Sequence, residues 1–103
     1  MTDVFKALAD PTRRRVLELL RSRPLTAGEL AREFTCTKAT MSAHFAVLRE
    51  AGLVQSDKTG REILYRLRLS VLEEALLTFA QAVGADLVQG AHPPSTSKEE
   101  LSE

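Results

Sequence analysis

The chain has one cysteine, no tryptophan, one tyrosine and two histidines. A lone cysteine cannot close an internal disulfide. The opening residues MTDVFKALADP have no basic stretch followed by a long apolar one, so no secretory leader is read and the expected location is cytoplasmic. No run approaches the ~20 apolar residues of a membrane-spanning helix. There is no Gly-rich phosphate loop, no cluster of metal ligands and no spaced Ser/His/Asp set, so an enzyme is not expected. The adjacent pair Glu73-Glu74 diverges on a helix and reads as a solvated face. Net charge is also missing: 14 Lys/Arg balance 14 Asp/Glu.

That neutrality hides a segregation. Residues 1–68 hold 13 Lys/Arg and 8 Asp/Glu, a net +5, whereas residues 69–103 carry −5. Charge separated along a chain can still give one basic face. The 103 residues suit one small domain, whose core is limited enough to gain from a second copy packed against it.

The elements read in order. Asp3 to Ala9 is a short helix. Asp10-Pro11 is a start signal for the next one, with Asp10 as cap and Pro11 in the first position. That helix runs to about Ser22 and buries Val16, Leu17, Leu19 and Leu20, with Arg13, Arg14, Arg15 and Arg21 around its outside. Thr26 to Glu29 has capping-box spacing and opens a two-turn helix, Ala27–Phe34. Thr35-Cys36-Thr37 is a tight break, Thr37 caps a helix from Lys38 to Ala51, and Gly52 ends it. Leu53–Ser56 and Arg61–Leu67 read as two strands joined by a turn at Asp57–Gly60. Ser70 and Glu73 make a second capping box for a helix to about Val83. The expected fold is mainly α with a small β-hairpin, in the order α-α-α-α-β-β-α, over residues 1–85. Residues 86–103, rich in Pro, Ser, Lys and Glu towards the end, are predicted to be a disordered tail.

Ala27–Phe34 and Lys38–Ala51 have the layout of a helix-turn-helix, in which the second helix enters the major groove of DNA. Met41, Phe45 and Leu48 form a narrow apolar stripe on that helix, which leaves the opposite side free. Lys38, Thr40, Ser42, Ala43 and His44 are the residues expected at DNA there: small side chains allow close approach, and hydroxyls bond donors or acceptors on base edges. Lys58 and Arg61 at the hairpin are expected to reach a phosphate or the minor groove. Cys36, in the turn, reads as a small half-buried residue, with a redox switch as the sharper alternative.

The runs FKALADPTRRRVLELL, LTAGELAREF, TKATMSAHFAVLREAGLV and GREILYRL resemble the ArsR/SmtB family of bacterial winged helix-turn-helix regulators over roughly residues 3–83. The resemblance implies a homodimer at a pseudo-palindromic operator, most often a repressor. It lies nearest a subgroup of short autorepressors without the usual metal ligands. Family positions for metal-binding cysteines at the start of the third helix are Thr26 and Gly28 here, and the last helix has no histidine. No catalytic residue, no metal ligand and no evident cofactor is therefore assigned. A transition metal at a non-standard site, for instance one using His92, stays open, as does a metal- or redox-responsive regulator.

The dimer is also read from residues. Leu72, Leu76, Phe79 and Val83 make one stripe on the last helix, and Val4, Phe5 and Leu8 are apolar on the first. These seven are the expected dimer interface. Double-stranded DNA and a second copy are the expected partners, with no membrane. The competing reading from another class is a winged-helix module that binds protein.

Overall fold

A computed structural model of the chain describes residues 2–85. The elements are α1 (Thr2–Leu8), α2 (Pro11–Leu20), β1 (Leu25–Thr26), α3 (Ala27–Ala31), α4 (Lys38–Glu50), β2 (Val54–Thr59), β3 (Glu62–Leu67) and α5 (Leu69–Ala82). They fall in two compact units divided after Leu72, within α5. The tail expected over residues 86–103 lies outside the described residues.

The helix starts follow from local chemistry. Asp10 is extended (φ −103°, ψ 130°) and its carboxylate accepts from the Arg13 backbone N–H at 3.1 Å, with Pro11 starting α2. Thr26 and Glu29 form the expected reciprocal capping box, with bonds of 3.0 and 2.9 Å. Thr37 caps α4 through the Thr40 N–H at 3.1 Å.

The end of α4 depends on a glycine. Gly52 has φ +77°, Gly52 N–H donates to the Arg49 carbonyl at 3.0 Å and Leu53 N–H to the Leu48 carbonyl at 3.1 Å. This is a Schellman closure, sealed by Leu48 and Leu53, both 0% exposed. It turns the chain directly into the hairpin.

Three expectations are corrected. First, α3 stops at Ala31 rather than Phe34: Glu33 and Phe34 N–H groups bond the Leu30 and Ala31 carbonyls, three residues back, so the last turn tightens. Second, the hairpin turn is Gly60-Arg61, not Asp57–Gly60. Thr59 pairs with Glu62, Gly60 takes φ +62°, and Asp57 stays in the ladder opposite Leu64 while its carboxylate meets Arg66 Nε at 3.4 Å. Third, the sheet has three strands in the order β1-β3-β2, because Leu25 and Thr26 pair antiparallel with Tyr65 and Leu64. A two-residue strand shows no alternation in sequence and exists only through its distant partner.

The core of the first unit gathers around Val16, Leu30, Met41, Leu48 and Leu53, each 2% exposed or less. Phe45 and Tyr65 stack with ring centroids 4.7 Å apart and planes tilted 32°, which fixes α4 against β3. Burying three α4 side chains of this size stabilises on the order of 5 kcal/mol or more before entropy is counted.

Candidate nucleic-acid interface

With Met41, Phe45 and Leu48 turned inward, α4 exposes Lys38, Ala39, Thr40, Ser42 and Ala43. At 100° per residue they wrap around the outward side. Thr40 is oriented as well as exposed. The Thr37 hydroxyl donates to Thr40 Oγ1 at 3.0 Å while accepting from the Thr40 N–H. Thr40 therefore keeps its own proton to offer to an acceptor on a base edge or phosphate.

His44 is placed differently from the other expected contacts. Its side chain is 15% exposed and Nδ1 lies 3.2 Å from Arg13 Nη1, on the α2 side of α4. Arginine has only donors, so Nδ1 accepts and the ring proton sits on Nε2. The Asp10 carboxylate is 3.8 Å from the same Nδ1, too long to displace that bond. The imidazole ties α4 to α2 instead of standing on the outward face. The sequence pattern put it at the margin of that face, because His44 lies only about 40° round the helix from the buried Leu48.

Arg13 anchors this junction. Its Nε and Nη2 donate to the Ala7 and Lys6 carbonyls at 2.8 and 2.9 Å, and Arg14 Nη1 reaches the Leu8 carbonyl at 2.7 Å. Two arginines that read as decoration thus satisfy the exposed carbonyls at the end of α1. Desolvation pushes the Asp10 carboxyl upward, but hydrogen bonds from the Arg13 and Thr12 backbone N–H groups, together with nearby positive charge such as the Arg13 guanidinium, hold it below the ordinary carboxylate range. Glu29 is also held low, chiefly by the Thr26 N–H, against some desolvation.

The hairpin carries Lys58 and Arg61 on exposed backbone beside Gly60. Neither side chain has an ion pair among the described residues, and the same holds for Lys38 and Arg49 of α4. By contrast Arg15, Arg23 and Arg66 are paired with Glu18, Glu29 and Asp57. Arg49 was not singled out from sequence; its spacing of eleven from Lys38 and seven from Ser42 could have placed it on their side of α4.

Cys36 is exposed rather than half-buried, at a bend in the stretch between α3 and α4. No three His, Cys, Asp or Glu side chains come together among the described residues. Thr26, at a family metal position, is used in the capping box. His92 lies outside the described residues. No described helix is long and apolar enough to cross a membrane.

Residues 8–57, which hold α2 to α4, match a helix-turn-helix domain model. The transcriptional repressor SdpR of Bacillus subtilis (strain 168) is 38% identical over 76 residues, 74% of this chain and 84% of that one. The chain belongs to the ArsR/SmtB family. Among solved structures, an ArsR family transcriptional regulator superposes with a TM-score of 0.71 at 33% identity, covering 81% of this chain and 88% of the other. An ArsR-like transcriptional regulator from Rhodococcus sp. RHA1 gives 0.70 at 34% identity, over 81% and 77%. The winged helix-turn-helix reading holds, and the family is one of DNA-binding transcriptional regulators, not enzymes.

α5 starts at Leu69, so Ser70 already lies inside it and is not its cap. The earlier start adds a residue to the predicted apolar stripe. Leu69, Leu72, Leu76, Phe79 and Val83 follow spacings of three, four, three and four. Leu69, Leu76, Phe79 and Val83 are 50, 39, 49 and 63% exposed. On the first helix Val4 is 4% exposed and already used in the core, while Phe5 and Leu8 are half-buried.

Proposed function

We propose that this protein is a homodimeric repressor that acts in the cytoplasm on a pseudo-palindromic operator, with α4 in the major groove and the β2–β3 wing on adjacent backbone. Lys38, Thr40, Ser42 and Ala43 are the groove-facing set, and Lys58 and Arg61 the wing contacts. The observation that carries this reading is the outward face of α4, which is small and hydroxyl-bearing and has a free cation at its start, on a helix whose apolar side is fully used. Repression follows the name of the similar Bacillus protein. The dimer rests on the three-four spacing of α5, which leaves several large apolar side chains exposed, a seam suited to a second copy. A two-fold dimer sets the two α4 helices about 34–36 Å apart, one DNA turn.

The test is a gel-shift titration on the operator, found by selection from a random duplex pool. The double variant Thr40→Ala/Ser42→Ala should keep its helical circular dichroism and its affinity for random DNA but bind the operator about tenfold or more weakly, since each lost base contact is worth ~1–3 kcal/mol. Unchanged operator affinity would remove α4 from the recognition role.

A further inference from the structure

We propose that the cleft between α3, α4 and β3 binds a small amphipathic carboxylate, and that an occupied cleft excludes DNA from the same side of α4. The second half rests on the function proposed above; the first does not. The cleft holds about 300 Å³, at the low end of ligand pockets. Edges of Met41, Phe45 and Tyr65 form its base, and Ile63 of β3 stands as an apolar wall, 37% exposed.

Its opposite wall is open because α3 presents only Ala27, Gly28 and Ala31 there. Gly28 is telling. It lies inside a helix, where glycine is unfavourable relative to alanine, and its φ is not positive. A Cβ there would meet only Thr26 Oγ1, at 3.9 Å. The backbone does not require glycine at this position; what its missing side chain leaves is space.

The polar rim decides the ligand class. Lys38, Ser42 and Arg49 line the α4 side. The Arg49 guanidinium has no ion pair or hydrogen bond among the described residues, although most arginines of α2 and β3 have one. Its planar fork matches a carboxylate with two parallel bonds, with a ring or branched chain lying over Phe45 and Ile63 and the Ser42 hydroxyl about two turns away along the helix. A neutral ligand would leave the guanidinium unmatched, and a cation would be repelled by both basic residues. Such a ligand covers Ser42 and the stem of Lys38, two of the residues assigned to DNA, so the two cannot share them.

The full chain should be titrated with 2-naphthoate while the methyl resonances of Met41 and Ile63 are followed by NMR. Saturable shifts are expected at millimolar concentration. The neutral 2-naphthamide should bind about tenfold or more weakly, as should Arg49→Gln towards the acid. Gly28→Leu, which fills the cleft at a position with room for a side chain, should fold normally and show no saturable shift. In a second arm, 2-naphthoate should raise the apparent operator Kd of the wild type and leave that of Gly28→Leu unchanged. Absence of saturable shifts, or equal binding of acid and amide, would overturn the carboxylate site. Saturable shifts with no effect on operator affinity would overturn the exclusion of DNA. A chain that bound no operator but still gave carboxylate-specific shifts would sink the DNA reading and uphold the cleft.

Discussion

Helices α4 and α5 are near twins in length, 13 and 14 residues, and both are amphipathic. Their apolar stripes have opposite fates. Met41, Phe45 and Leu48 of α4 are 2, 5 and 0% exposed, whereas Leu76 and Phe79 of α5 and Val83 just beyond its end are 39, 49 and 63% exposed. A stripe satisfied inside the chain leaves the helix's polar side as its working surface. A stripe that stays partly exposed keeps apolar area that a second copy of the chain could cover. The proposed DNA contact of one helix and the proposed dimer seam of the other rest on that difference.

The contrast can be broken most forcefully at Phe45. Phe45→Ala removes the ring stacked on Tyr65 and should cost about 3–5 kcal/mol of stability in urea unfolding. A loss below ~1 kcal/mol would mean the α4 stripe is not the core it is taken for. The same test on α5 should read out differently. Leu76→Glu should weaken dimerisation by about 2 kcal/mol or more in analytical ultracentrifugation. A dimer of unchanged affinity would refute the α5 seam.

A smaller effect sharpens the electrostatic side. Arg61→Ala should lower affinity for any DNA sequence and flatten the log–log salt dependence by ~1 if it neutralises one phosphate. An unchanged slope would take Arg61 off the backbone. The smallest effect concerns Glu29, whose folded carboxyl is held below its unfolded value. Its contribution is present above the unfolded carboxylate range, about pH 4, and is lost as pH falls through the folded value. Glu29→Gln keeps the capping-box geometry but cannot titrate, so the melting temperatures of variant and wild type should converge as the solution is acidified below that range. A gap that stays constant with pH would show that the charge contributes nothing.

The arginines of α2 show where reading a sequence stops. Arg13, Arg14 and Arg15 look alike in the chain, three cations in a row before an apolar helix. In the fold Arg13 closes the end of α1 and holds His44, Arg14 binds the Leu8 carbonyl and Arg15 pairs with Glu18. Their composition argued for a basic face, yet all three are engaged within the fold, whereas Lys38, Arg49, Lys58 and Arg61, on α4 and the wing, have neither an ion pair nor a side-chain hydrogen bond among the described residues. The same limit applies to His44, assigned to the DNA face by its position on the helix and found against α2.

Local signals placed the caps at Asp10, Thr26 and Thr37 and the stop at Gly52, because each acts within about four residues of the groups it satisfies. The period of Met41, Phe45 and Leu48 identified α4 and its free side for the same reason: helical geometry alone puts those residues on one face. The sequence by itself therefore determined the five helices and the hairpin in their order, the helix-turn-helix and, apart from His44, its outward residues. Tertiary structure decided what depends on groups far apart in the chain: the pairing of Leu25 with Tyr65, the bond between Arg13 and His44, and the cleft that Gly28, Arg49 and Ile63 enclose. Those contacts join residues separated by 14 to 40 positions, and no local propensity specifies which of many distant partners a side chain will meet.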